Sequence, residues 1–325
     1  DLAHVTEGGD VATSLANAAD IARHAESLGF ERYWCAEHHG MEGIASAATS
    51  VVIGHVAAAT STIRVGAGGI MLPNHSPLVI AEQFGTLEAL FPGRIDLGLG
   101  RAPGSDQRVA AALRRNLDTN PDAFPRDVVE LQSYLAGDGR TGIKATPGAG
   151  AKVPLYILGS SLFGAQVAAV LGLPYAFASH FAPQALDDAL AIYRERFQPS
   201  EVLSEPYAIC GYNVFAADTE EEAHLLASSM QQSFVRLRTG QPGKLPPPVE
   251  GYRESLPQQA AAMLDGVLKA TAIGTPAQVR EQMQAFVDRT KADELIIAGS
   301  IYDHEKRKRS LTLAAEAFAS EPAAA

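Results

Sequence analysis

Glu37, His38 and His39 stand side by side at the end of the strand-like run FERYWCAEH. A carboxylate next to two imidazoles can hold a proton, pass one on, or ligate a metal. Consecutive side chains of an extended chain point to opposite sides. Glu37 and His39 then share one side, and His38 faces the other, as a proton handler or hydrogen-bond donor on a polar pocket wall. A zinc centre usually takes three protein ligands. The sequence has no H-E-x-x-H and no second tight His/Asp cluster, so no metal is expected.

The second chemical stretch is GLGRAPG, residues 98–104. A dinucleotide loop needs G-x-G-x-x-G opening a helix. Here Pro103 holds the third glycine position and Gly104 comes one residue late. What survives is a loop carrying Arg101, whose planar guanidinium suits bidentate phosphate binding. Farther on, LYILG ends at Gly159, and Ser160 and Ser161 open a helix. A helix N-terminus offers unpaired N–H groups to an anion. Ser161 could add a hydroxyl there or serve only as an N-cap. Arg101 and Ser161 belong to successive strand-to-helix loops, so one phosphate could sit between them. Gly66, Gly68 and Gly69 interrupt the strand-like TIRVGAGGIML. Glycine inside a strand marks a bulge or a close approach, either from tight packing or from a planar ring lying flat against the chain.

The elements that position these residues alternate. Apolar strand-like runs begin near residues 30, 62, 94, 155, 175, 206 and 294. Amphipathic helical stretches separate them, at 14–29, 45–60, 77–90, 121–136, 161–171, 183–197, from Thr219 onward, and 276–290. DLAHV at the start looks like the tail of an eighth strand whose beginning is missing. Residues 239–260, rich in Pro, Gly and Gln, look like an insertion before the last strand, with a lid or a plain loop as its role. Strands that alternate with helices imply a parallel sheet. Eight such units predict a single-domain α/β (β/α)8 TIM barrel over 1–325, with an open doubly wound sheet as the alternative. His4, His38, His39, His75, His180 and His304 fall at or just past strand C-termini, the face on which barrels build their sites.

Composition excludes some classes. The 325 residues are 46% hydrophobic with a net charge of −11, which supports a large core and argues against nucleic-acid binding through bulk charge. The basic run Lys306–Arg309 is expected to be a solvated helix start. Two cysteines, Cys35 and Cys210, make no disulfide framework and suggest a cytoplasmic protein. No apolar run is long enough to span a bilayer.

Several pieces, in this order and spacing, resemble the bacterial luciferase-like flavin monooxygenase family, in its single-chain branch. They are AEHH at 36–39, VGAGGIMLPNHSPL at 65–78, AEQFGTLEALFPGRIDLGLGRAPGSD at 81–106, GSSLFGAQVAAVLGLP at 159–174 and GTPAQVREQMQAF at 274–286. The resemblance covers nearly the whole chain. It implies FMN at the C-terminal ends of the strands, with Arg101 and Ser161 on its phosphate and Gly164 adding backbone contact. It implies that Gly68 and Gly69 support the flavin ring through a non-proline cis peptide, and that His38 is catalytic. It implies reduced FMN supplied by a separate reductase, dioxygen as co-substrate, a small organic substrate and a homodimer. A deazaflavin-dependent oxidoreductase or a non-catalytic flavin-binding protein are the alternatives. The light-emitting relative carries a reactive cysteine where this chain has Gly100, so aldehyde-dependent light emission is not expected.

Overall fold

A computed structural model describes residues 1–101, 107–113 and 123–319. Its strands are β1 (Arg32–Cys35), β2 (Arg64–Met71), β3 (Ile95–Gly100), β4 (Leu155–Gly159), β5 (Tyr175–Phe177), β6 (Ala208–Ala216), β7 (Thr271–Gly274) and β8 (Glu294–Ala298). Between them lie α1 (Val11–Ser27), α2 (Thr49–Ala59), α3 (Pro77–Leu90), α4 (Gln107–Leu113), α5 (Phe124–Ala136), α6 (Leu162–Leu171) and α7 (Leu186–Arg196). The series continues with α8 (Glu220–Arg238), α9 (Tyr252–Ser255), α10 (Gln258–Leu268), α11 (Pro276–Thr290) and α12 (His304–Ala319). Local chemistry sets many of these boundaries. Asp10 accepts the Thr13 N–H at 2.7 Å to start α1. Thr219 caps α8, which carries acids in its first turn and Arg236 and Arg238 in its last, matching the helix dipole. Thr275 and Gln278 form a capping box on α11.

All strand pairs are parallel, and β1 to β6 pair in chain order. β6 has three partners: β5 near its start, β8 along 209–213 and β7 along 213–216. The sheet curls until side chains of β1 and β8 meet, the Arg32 Nε–H donating to Glu294 Oε1 at 2.6 Å, with no ladder between the two strands among the described residues. The outward faces of the strands (Val65, Leu97, Leu99, Ile157, Tyr175 and Phe177 among them) pack under the helices as the main core. Both faces of the sheet are covered, as a parallel sheet requires.

The sheet contains one strand that the seven strand-like runs of the sequence do not include. Asp1 lies beside the end of β1, its amino group donating to the Trp34 carbonyl at 2.5 Å and its carbonyl accepting from the Ala36 N–H at 3.0 Å, and isolated bridges join His4 to Ile44 and Thr6 to Leu245. The eighth strand of the sheet is β7, four residues long and too short to show an alternating pattern. The segment at 239–260 links α8 to α10 and includes α9, and its first half is pinned. Leu245 exchanges backbone bonds with Val5 and Glu7 at 2.9 and 2.8 Å. The Gln232 amide donates to the Pro247 carbonyl at 2.8 Å, and the Val249 N–H donates to Ser228 Oγ at 2.8 Å. The basic run opens α12 but is not simply solvated. Lys306, Lys308 and Arg309 pair with Glu222, Asp20 and Asp218, and Arg307 is half-buried, its side chain only 20% exposed.

At the N-terminal end of the barrel, alternation turns Arg32, Arg64 and Asp96 inward. Asp96 is fully buried. Its carboxylate accepts from Arg32 Nη1 at 2.9 Å, Trp34 Nε1 at 3.0 Å, and Arg64 Nε and Nη2 at 2.9 and 2.6 Å. Removing one partner of such a buried pair leaves the others uncompensated. Asp96→Asn should therefore lower stability by about 3 kcal/mol or more. Urea unfolding at neutral pH checks this, and an unchanged midpoint would remove Asp96 from the framework.

Candidate active site

The residues that the sequence singles out for chemistry lie at or just past the C-terminal ends of the strands. Trp34, Tyr156, Ala176 and Ile209 form a buried inner cluster, with Trp34 and Tyr156 edge to face at 4.9 Å. By strand alternation, the inward positions nearer the C-terminal ends are Gly68, Gly98, Gly100, Leu158, Ala178, Gly211, Asn213 and Ala298. Larger side chains fill the lower barrel, and the upper level, the lumen, is lined mostly by small residues, with Leu158, Asn213 and the His180 ring among them.

The glycines of β2 and β3 divide between two causes. A Cβ on Gly66 would lie 2.5 Å from the Asp96 carbonyl, one on Gly69 2.6 Å from that of Gly98, and one on Gly98 2.4 Å from that of Ala67. These three are required by the close approach of the two strands. Gly68 differs: its Cβ would point at the Trp34 side chain, at 3.0 Å. The Gly68–Gly69 peptide is cis and coincides with a register shift between Ala67 and Ile70. At Gly100 a Cβ would stand 3.0 Å from Met71 Sδ, so a cysteine there would need Met71 to move.

Arg101 directly follows β3, and α6 begins after the neighbouring strand β4. The two meet: Arg101 Cζ lies 4.1 Å from the centroid of Phe163, in the first turn of α6. The stack holds the guanidinium plane beside the N–H groups that a helix leaves unpaired at its start. Ser161 is the extended N-cap residue, exposed, and makes no side-chain capping bond. Gly164 is buried in that first turn, where a Cβ would lie 3.3 Å from Tyr175 Cε2 and 3.5 Å from Gly159 Cα. The glycine thus lets α6 sit close on β4. Residues 102–106, the rest of the Arg101 loop, lie outside the described residues.

Glu37 is the polar hub of the first loop. Only 1% exposed, it accepts from His39 Nε2 at 2.6 Å, from His75 Nε2 at 2.9 and 3.0 Å, and from the Met71 N–H at 3.0 Å. Glu37 and His39 share a side, as alternation expects. His75 was singled out in the sequence only as a residue at a strand end, and 38 positions of separation hid its partnership with Glu37. Burial opposes ionisation of Glu37, but His75, His39 and the Met71 amide together hold its carboxyl below the usual range. The spacings are those of hydrogen bonds. A tetrahedral zinc at about 2.0 Å from each ligand would hold these atoms about 3.3 Å apart.

The remaining histidines separate. His38, half-buried, stands near enough to His4 for charge on one to affect the other. His4 meets Ser300 Oγ at 2.8 Å, and burial, with Arg307, drives its pKa down to about 3. His304 leaves the site, pairing with Asp20 on α1 at 2.9 Å. Cys35 and Cys210 are buried and free, and burial raises their thiols to about 11 and about 12, so neither is a poised nucleophile.

Because the Glu37 carboxyl is depressed on folding, the stability it contributes is present above the ordinary carboxylate pKa and lost as pH falls through its folded value. Glu37→Gln should cost about 2 kcal/mol at neutral pH. The gap between variant and parent should narrow in acid, and paired urea melts at several pH values test it. A gap independent of pH would mean that the charge of Glu37 is not what holds the two histidines.

Comparison with known proteins identifies the family. The family described as "Luciferase-like monooxygenase" matches residues 1–293. A luciferase-like monooxygenase of Escherichia coli K12 is 51% identical over 97% of this chain and 94% of its own length. The N-acetyl-S-alkylcysteine monooxygenase of Bacillus subtilis 168 is 31% identical over 98% of this chain and 96% of its own. The crystal structure of apo-MsnO8 superposes with a TM-score of 0.88 at 37% identity, covering 99% of this chain and 97% of that one. An FMN complex of a type II Baeyer–Villiger monooxygenase shares the fold, with a TM-score of 0.71 at 19% identity over 96% of this chain and 94% of that one. The chain belongs to the luciferase-like monooxygenase family.

Proposed function

We infer that the protein is an FMN-dependent monooxygenase that uses reduced flavin and dioxygen to oxidise a small organic substrate. The observation that carries this reading is the Arg101–Phe163 stack at the start of α6. It brings a guanidinium, free helix N–H groups and the uncommitted Ser161 hydroxyl to one place, a donor set suited to a phosphate dianion. The inward glycines and alanines leave room for a planar ring where side chains would otherwise stand, so the chain fits the cofactor.

When bound, reduced FMN supplies the electrons and the reactivity toward oxygen. The protein's part is placement. Arg101 and Ser161 hold the phosphate, with Gly164 allowing the helix start to come close. Gly68 and Gly69 present backbone in place of side chains. His38, turned away from the Glu37 hub, holds or delivers a proton through a ring nitrogen. The Glu37 clamp on His39 and His75 fixes the loop that carries His38. Residues 241–249, pinned to Val5, Glu7 and α8, form a roof that limits water. In this reading the reduced cofactor comes from a separate reductase.

Arg101→Ala should weaken FMN binding by roughly 10- to 100-fold while changing riboflavin binding little, since charged hydrogen bonds are worth about 1.5–3 kcal/mol. Fluorescence titration with both ligands decides it, and equal losses would show that Arg101 does not touch phosphate. The same titration with a deazaflavin cofactor tests the class. Tighter binding of deazaflavin than of FMN would overturn the monooxygenase reading in favour of hydride transfer.

A further inference from the structure

His180 follows β5 and is used by none of the interactions above. Its ring lies across Gly211 of β6, an inward position. A Cβ on Gly211 would be 2.0 Å from His180 Nδ1, so only glycine admits the ring, and the ring occupies the lumen. The backbone around it is fixed: Asn213 Nδ2 donates to the His180 carbonyl at 2.8 Å and Ser179 Oγ to the Gly211 carbonyl at 2.5 Å. Nδ1 is sealed and has no hydrogen-bond partner. Nε2 is not sealed, and it has no partner among the described residues.

This placement bears on the tautomer. The Gly211 Cα–H that takes the Cβ direction points at Nδ1. A lone pair there makes a weak C–H contact, whereas an N–H there would collide with that hydrogen. The proton therefore sits on Nε2, and burial keeps the ring neutral, with its pKa lowered to about 4. His180 presents one fixed N–H donor to the lumen and no accessible acceptor. The next residue, Phe181, is 43% exposed. Arg238 lies over its ring and over that of Phe234, at 5.2 and 5.1 Å, with no carboxylate partner among the described residues.

We propose that His180, Phe181, Phe234 and Arg238 form the substrate subsite, and that it takes a small molecule with an apolar body and a carboxylate. Of these four residues the two polar ones, His180 and Arg238, donate, and the other two are aromatic. An acceptor oxygen is matched by His180, an anionic one also by Arg238, and an amine by neither. The assignment rests on the flavin reading in one respect: Gly68, Arg101 and Ser161, on β2 to β4, are given to the cofactor, which leaves the β5–β6 side for substrate.

Two measurements test it. Long-range 1H–15N NMR of the protein labelled at histidine should show His180 as the Nε2–H tautomer, and the Nδ1–H form would overturn the proposal. Ligand-observed NMR and calorimetry then compare hexanoate, hexanamide and hexylamine as probes. Hexanoate should bind and hexylamine should not. His180→Phe should weaken hexanoate and hexanamide about tenfold, while His180→Gln, which keeps a donor, stays within about threefold. Arg238→Met should weaken hexanoate and spare hexanamide. Absent hexanoate binding, equal binding of hexylamine, or an unaffected His180→Phe each refutes the subsite. The FMN titration stands apart: if FMN fails to bind while the probes behave as stated, the flavin reading falls and the carboxylate subsite remains.

Discussion

Asp96 is the group on which the barrel is built. A carboxylate with no exposed surface is costly unless its oxygens are fully engaged. Here both oxygens are taken, by arginines of β1 and β2 and by the Trp34 indole. Arg32 carries the connection across the curl of the sheet to Glu294 on β8, and its Nη1 also reaches Tyr156 on β4 at 3.1 Å. One ionic cluster thus ties strands from both ends of the sheet order. Because Trp34 donates to Asp96 and packs against Tyr156, the ionic base also fixes the apolar layer above it. The floor of the lumen is that layer.

A fixed floor makes the open upper level possible. Inward glycines and alanines on a loosely held sheet would let the barrel collapse, since unfilled space forfeits packing energy. The level below carries the stability, and the upper level is left to bind. The loops above reuse the same device on a smaller scale. Glu37 is a second buried carboxylate, and it gathers His39, His75 and the Met71 amide much as Asp96 gathers arginines. In both places one short acidic side chain sets the positions of several longer basic ones.

Much of this was legible in the chain, and the rest was hidden for physical reasons. Helix starts at Pro77, Thr219 and Pro276 follow local chemistry, so they can be found locally, whereas α1 starts at Val11, ahead of the expected residue 14, because Asp10 caps it. The alternation of strand and helix pointed to the barrel, and two-residue periodicity placed Glu37 with His39. β7 escaped because four residues cannot display a period, and its pairing with the far end of β6 is a tertiary fact. The Asp96 cluster escaped because its members lie 32 to 262 residues apart. There was a signal all the same: Arg32, Arg64 and Asp96 are charges set at the starts of apolar strand runs, where a buried ion needs a buried partner. His75 and Glu37 could be joined only by the turn after β2.

Glycine was the most informative residue type and the easiest to misread. In a sequence, Gly66, Gly68, Gly69 and Gly98 look like one motif with one purpose. In the fold, three of them are demanded by neighbouring backbone and would be glycine in any barrel with this strand contact. Gly68 faces the lumen floor instead, and Gly211, far away in the chain and part of no recognisable motif, makes space for a histidine ring. What separates the two kinds is the identity of the atom a Cβ would strike. Where it is a carbonyl, the glycine serves the sheet. Where it is a ring on the lumen side, the glycine shapes the cavity, and the ring it admits is a candidate for contact with whatever the cavity binds.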